Sequence, residues 1–167
     1  MTALQSPTCP STSKQRSPIE LRFFGEAAPQ GSKTVTRWGG LREVSKKIEP
    51  WRGVVQYQSE QQYKGPVITE AVSVEITFLI ARGKGHWSKR KGKEDQLLPS
   101  APAHHTSAPD VDKLTRGLLD PLTVRCGGCV LKDDSQVVEI VARKRYAERC
   151  ESAGALVRIN LISDRHC

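Results

Sequence analysis

Four aspartates carry the chemistry of this sequence. Asp110 and Asp112 stand in Pro109-Asp110-Val111-Asp112-Lys113-Leu114-Thr115-Arg116, and Asp133 and Asp134 in Lys132-Asp133-Asp134-Ser135-Gln136. Both groups are flanked by cations in a chain with 26 Lys and Arg against 18 Asp and Glu, formally +8. Such a balance favours a polyanionic partner. Clustered carboxylates in a basic protein offer the hard oxygen ligands that Mg2+ takes alongside substrate phosphate. Three of them around one or two ions can polarise a phosphodiester and deprotonate a water. That chemistry is a metal-dependent nuclease. Each cluster also has a plainer reading. Asp110 and Asp112 suit a helix start, with Asp112 and Arg116 as an i, i+4 surface pair. Asp133 and Asp134 suit a polar hairpin turn.

The elements that must position these residues follow from periodicity. Residues i and i+2 do not face one way on a regular helix, so Asp110 and Asp112 can share a metal only if Asp110 lies at or before the helix start. Pro109 supports a boundary there. The stripe Val111, Leu114, Leu118, Leu122 predicts a helix from Asp112 to Leu119 packed on a sheet. Val72, Val74, Ile76, Phe78 and Ile80 alternate as one apolar strand face. Leu21–Phe24, Val137–Lys144 and Leu156–Ile162 read as further strands, with Gly127-Gly128 as a turn. Pro50 opens a helix whose face holds Trp51, Val54, Val55 and Gln58, and 25–40 reads as loop or irregular hairpin. The order β-α-β-α-β-β predicts a single two-layer α+β domain with helices on one face of a mixed sheet.

The chain has 167 residues, room for one core. Residues 1–18, rich in Ser, Thr, Pro and Gln, read as a flexible tail; 19–163 is the domain. Within it 82–109 is a long connection carrying Arg82, Lys84, Lys89, Arg90, Lys91 and Lys93, expected to neutralise DNA phosphates, with Trp87 free to stack on a base or to anchor the loop. Residues 1–18 lack an apolar signal segment and no apolar run would span a bilayer, so a cytoplasmic setting with free thiols is expected. Cys126-Gly127-Gly128-Cys129 has zinc-knuckle spacing without a second pair, and two free thiols in a turn is the better reading.

At these positions the chain resembles the RusA-like Holliday-junction resolvases. The resemblance rests on Pro109-Asp110-Val111-Asp112-Lys113-Leu114, Leu119-Asp120-Pro121-Leu122, Asp133-Asp134-Ser135-Gln136-Val137 and Lys144-Arg145-Tyr146, with weaker echoes at Pro29-Gln30-Gly31-Ser32-Lys33 and Pro50-Trp51-Arg52. It implies a homodimeric endonuclease that cuts four-way DNA junctions with Mg2+ or Mn2+, leaving a 5′-phosphate and a 3′-hydroxyl. It places the acidic site on Asp110, Asp112 and Asp134, with Asp133 less favoured. The family's basic residue, four after the second aspartate, falls on Arg116, where the founding member of the family has lysine. Arginine can hold a phosphate bidentately but does not give up a proton at neutral pH. Lys113 and Lys144 join the loop cations as expected DNA contacts. Departures are Ala108, where a basic residue is common, and Pro121, which should end the helix. Asp120 reads as structural, at the helix end away from the cluster. The alternatives are a non-catalytic DNA-binding protein of the same fold and an RNA-binding basic protein; the second has only the net charge behind it, without an aromatic RNA-binding motif.

Overall fold

A computed structural model describes residues 17–31, 33–35, 41–43 and 46–162. The expected tail lies almost wholly outside them. Strand β1 (Ile19–Phe24) is followed by a small hairpin, β2 (Lys33–Val35) and β3 (Leu41–Glu43), and then by helix α1 (Ile48–Gln62). After β4 (Val72–Ile80) the chain makes its long connection to α2 (Val111–Leu119) and ends with β5 (Val137–Tyr146) and β6 (Gly154–Leu161). The main sheet runs β1-β6-β4-β5. β6 is antiparallel to both neighbours, and β5 lies parallel to β4. The result is the expected α+β domain with a mixed sheet. The hairpin between β1 and α1 begins within 25–40, read as loop or irregular hairpin, and adds two short strands to the expected element order.

One sheet face carries the core. Val72, Val74, Ile76 and Phe78 are at most 1% exposed, and they meet Ile48, Trp51 and Val55 of α1 and Leu114 and Leu118 of α2. Burying each such side chain contributes roughly 1.5–3 kcal/mol. On α1 the buried positions Ile48, Trp51, Val55 and Ser59 recur with helical spacing; the helix begins before Pro50, which sits in its first turn without losing a bond. Helix α2 ends at Leu119, and Pro121 lies in the 3-10 turn Asp120–Leu122 that follows.

The two edges of the sheet differ. Along β1, side-chain amides of α1 act as an extra strand. Gln58 accepts from Phe24 N at 2.8 Å and donates to Phe24 O at 3.2 Å, while Gln62 accepts from Arg22 N at 2.8 Å and donates to Arg22 O at 2.7 Å. Along β5 no described group bonds to the outer backbone of residues 138–145. Val138, Ile140 and Val141 there are 64%, 46% and 41% exposed.

Candidate active site

Asp110 is the N-cap residue of α2, in extended conformation, and its carbonyl accepts the first helical bond from Leu114 N at 3.1 Å. Its carboxylate makes no capping bond. Lys113 holds it instead, one turn along, at 2.9 Å. That hydrogen bond, then the lysine's charge, lowers the Asp110 carboxyl below its ordinary value and raises Lys113 in return. Asp112 lies exposed in the first turn, and Arg116 is exposed one turn further on. The two make no ion pair with each other or with any other described residue, so the surface-pair reading of Asp112 and Arg116 does not hold.

The helix is seated by a close approach. Gln30 N donates to Lys113 O at 3.0 Å, and a Cβ on Gly117 would stand 2.5 Å from Ala28 O. Glycine is therefore required where α2 crosses the Ala28–Gln30 segment. The echo Pro29-Gln30-Gly31 in the sequence is thus a contact with the acidic helix. At the far end, Asp120 accepts from Arg52 of α1 at 3.4 Å and its carbonyl from the Thr123 hydroxyl at 2.8 Å, a joint between the helices.

The second acidic pair opens the 3-10 turn Asp134–Gln136. Here the leading carboxylate is spent on the backbone. Asp133 accepts from Ser135 N at 3.0 Å, and Gln136 accepts from Asp133 N at 3.1 Å, a reciprocal capping box. Ser135 holds the Asp133 carboxyl below its ordinary value. Gln136 also donates to Ile68 O at 3.0 Å and Glu70 O at 2.9 Å, tying the turn to the start of β4. Asp134 is left exposed, with no cation paired to it among the described residues. The Asp133-x-x-Gln136 spacing is the sequence signal of this box.

The remaining cations divide into two groups. Lys84, Lys89, Arg90, Lys91 and Lys93 are exposed and outside every described ion pair. Arg82 and Lys144 are engaged within the fold. Arg82 donates to Pro102 O at 3.0 Å and stacks 4.2 Å above the Tyr146 ring. Lys144 donates to Ser107 O at 2.7 Å and Pro109 O at 2.8 Å. His86 and His105 pack edge-on against Tyr146 at 5.4 and 5.2 Å. Burial and the Lys144 charge push His105 below its ordinary value. The connection 82–109 is therefore folded, with the Trp87 backbone bridged to Leu97 and Arg149 paired to Asp95. Cys126 is exposed and Cys129 half-buried against the core, both free thiols.

The exposed carboxylates of Asp112 and Asp134, in no ion pair among the described residues, and that of Asp110, paired only to the exposed Lys113, suit a hard divalent ion. Their placement in one chain is another matter. Asp110 sits beside the Lys144 end of β5, whereas Asp134 precedes its first residue, Val137. At ~3.3 Å per strand residue the two ends lie roughly 20 Å apart. Among the described residues no three acidic, His or Cys side chains gather within reach of one ion.

The fold and site are those of a small, basic, mixed-sheet α+β domain with aspartates at a helix start and at the entry to an edge strand. The family described as endodeoxyribonuclease RusA matches residues 25–159, and the chain belongs to that family. Membership makes it an endodeoxyribonuclease of a family that acts on branched DNA junctions. The chain is also similar to an uncharacterized protein of Bacillus subtilis (strain 168), YqaN, with 27% identity over 135 residues, covering 78% of this chain and 89% of the relative. No helix among the described residues is long and apolar enough to cross a membrane.

Proposed function

We propose that the protein is a homodimeric, Mg2+-dependent nuclease, with Mn2+ as a substitute, that resolves four-way junctions during recombination and repair in the bacterial cytoplasm. Each of its two active sites draws on both chains. The observation that carries this reading is the position of the acidic pairs at opposite ends of β5. Two copies joined edge to edge through β5, antiparallel about a two-fold axis, set the Asp134 end of one strand beside the Asp110 end of the other. Asp110 and Asp112 then share an ion with Asp134 of the partner subunit.

The open β5 edge supports that pairing. An edge with unbonded backbone and exposed apolar side chains is one that folds ordinarily cover, as α1 covers β1. With the axis at Val141, Glu139 falls opposite Arg143 of the partner subunit, and the reverse, so the strand complements its own copy in charge.

A divalent ion bound there supplies polarisation of the scissile phosphate and an ionised water for in-line attack. Arg116, one turn beyond Asp112 on the exposed face of α2, binds the phosphate oxygens and neutralises charge developing on them. Because guanidinium keeps its proton, the leaving 3′-oxygen is protonated by water. Lys84, Lys89, Arg90, Lys91 and Lys93 contact the DNA backbone through counterion release. Two symmetric sites match the two equivalent strands of a four-way junction.

The test is cleavage of a labelled synthetic four-way junction with Mg2+ and with EDTA, by wild type and Asp112→Asn. Paired symmetric nicks that need both Mg2+ and Asp112 are expected. Tight junction binding without cutting would favour the non-catalytic alternative, with Arg116 in place of lysine as the suspect. No preference for a junction over linear duplex would overturn the reading.

A further inference from the structure

We infer that Lys144 is a positioning residue, which fixes the backbone leading into Asp110 and so sets how Asp110 and Asp112 are offered to a metal ion. Its strand position comes first. Lys144 is paired in register with Phe78, which is 0% exposed, so its side chain leaves β5 on the core face. From that face a long aliphatic stem can carry its ammonium past apolar surface to polar partners at the edge. Two of its three N–H donors go to the carbonyls of Ser107 and Pro109, at 2.7 and 2.8 Å. Among the described residues these are the only hydrogen bonds made by residues 107–109. Asp110 follows directly.

Tyr146, two residues on and on the same strand face, holds the rest of the connection. His86, His105 and Arg82 surround its ring, and Arg82 reaches Pro102 O. The pair Lys144 and Tyr146 therefore anchors 82–109 to β5 at both ends. A lysine so engaged has one N–H left, directed by the other two, and is poorly placed to neutralise a DNA phosphate. The inference rests on the proposed carboxylate site and assigns that site's geometry to a residue that touches neither ion nor substrate.

The experiment compares the full-length wild type, Lys144→Met and Asp112→Asn. Mn2+ binding is measured without DNA, from the free-ion paramagnetic resonance signal, and junction binding is measured in EDTA over a range of salt. Lys144→Met is expected to weaken Mn2+ binding about 10–100-fold, as loss of a group that orients a ligand does. Its junction affinity and salt dependence should stay within about two-fold of wild type, because no phosphate contact is lost. The opposite pattern would overturn the inference: unchanged Mn2+ affinity, with weaker junction binding and a salt slope smaller by about one. Asp112→Asn separates the two layers. If it lowers Mn2+ affinity while Lys144→Met does not, the positioning role alone falls; if neither does, the carboxylate site falls with it. Should Lys144→Met not fold, the Lys144 Nζ resonance of the wild type is followed as junction is added in EDTA. An unmoved signal upholds the role and a shifted one overturns it.

Discussion

Asp110 and Asp133 each open a helical turn and each is followed by a second aspartate in the site, yet the fold treats the two leading carboxylates in opposite ways. Asp133 is consumed by Ser135 N inside a capping box, and only Asp134 projects free. Asp110 makes no such bond; its carboxylate is turned outward and held by Lys113. The difference lies three residues on. Gln136 can reach back to Asp133 N and closes a box, whereas Lys113, at the same spacing from Asp110, can only donate and draws the carboxylate away from the backbone. A helix start therefore supplies two candidate ligands in one place and one in the other, and a site of three needs both.

The largest expected effects separate the free carboxylates from the spent one. Asp112→Asn and Asp134→Asn should each lower the junction-cleavage rate by about 10²–10³-fold, the scale of losing one electrostatic group at a reacting phosphate. Asp133→Asn should stay within a few-fold of wild type. Thermal unfolding reverses the ranking. Asp133→Ala should cost about 0.5–2 kcal/mol as a lost cap, while Asp134→Ala should leave the melting temperature nearly unchanged.

The contrast between the two sheet edges gives a smaller expected effect. Glu139→Arg places like charges opposite each other across the proposed axis and should raise the dimer dissociation constant, with each facing pair contributing about 0.2–1 kcal/mol. Adding Arg143→Glu should restore it, as read by sedimentation. A dimer indifferent to both changes would remove β5 as the seam.

The smallest effect concerns pH. Asp110 has its carboxyl lowered chiefly by the Lys113 hydrogen bond. A depressed carboxyl stays ionised further into acid, so activity that needs the carboxylate persists until pH falls through that lowered value. In Lys113→Ala the acid limb of the pH–rate profile should move upward toward the ordinary aspartate range, with little change at neutral pH.

Much of this was legible in the sequence. Alternation from Val72 to Ile80 marked the central strand with its observed bounds, and the stripe through Leu114 and Leu118 marked α2 to within one residue at its start. What could not be read depends on partners far along the chain. The carbonyls that Lys144 binds are 35 and 37 residues away, and the amides that cover β1 are 34 and 40 residues from their targets. Strands of three residues, as in the β2–β3 hairpin, are too short to show a period. Nor does a strand's own pattern say whether it will lie at an edge, and so the separation of the acidic pairs along β5 emerged only from the topology. The capping box follows the Asp-x-x-Gln spacing, but two adjacent aspartates in a polar turn leave open which carboxylate it consumes.

The most direct measurement mixes two inactive proteins. Asp112→Asn and Asp134→Asn are purified separately, then combined under conditions that exchange subunits, and assayed on a labelled four-way junction with Mg2+. In the mixed dimer one site carries both substitutions and the other carries neither, if Asp134 acts in the partner's site. Nicking of one strand should return on mixing, in proportion to the mixed dimer formed. If subunits exchange and no nicking returns, each site is built from a single chain, and the account of β5 as the seam that completes it is wrong.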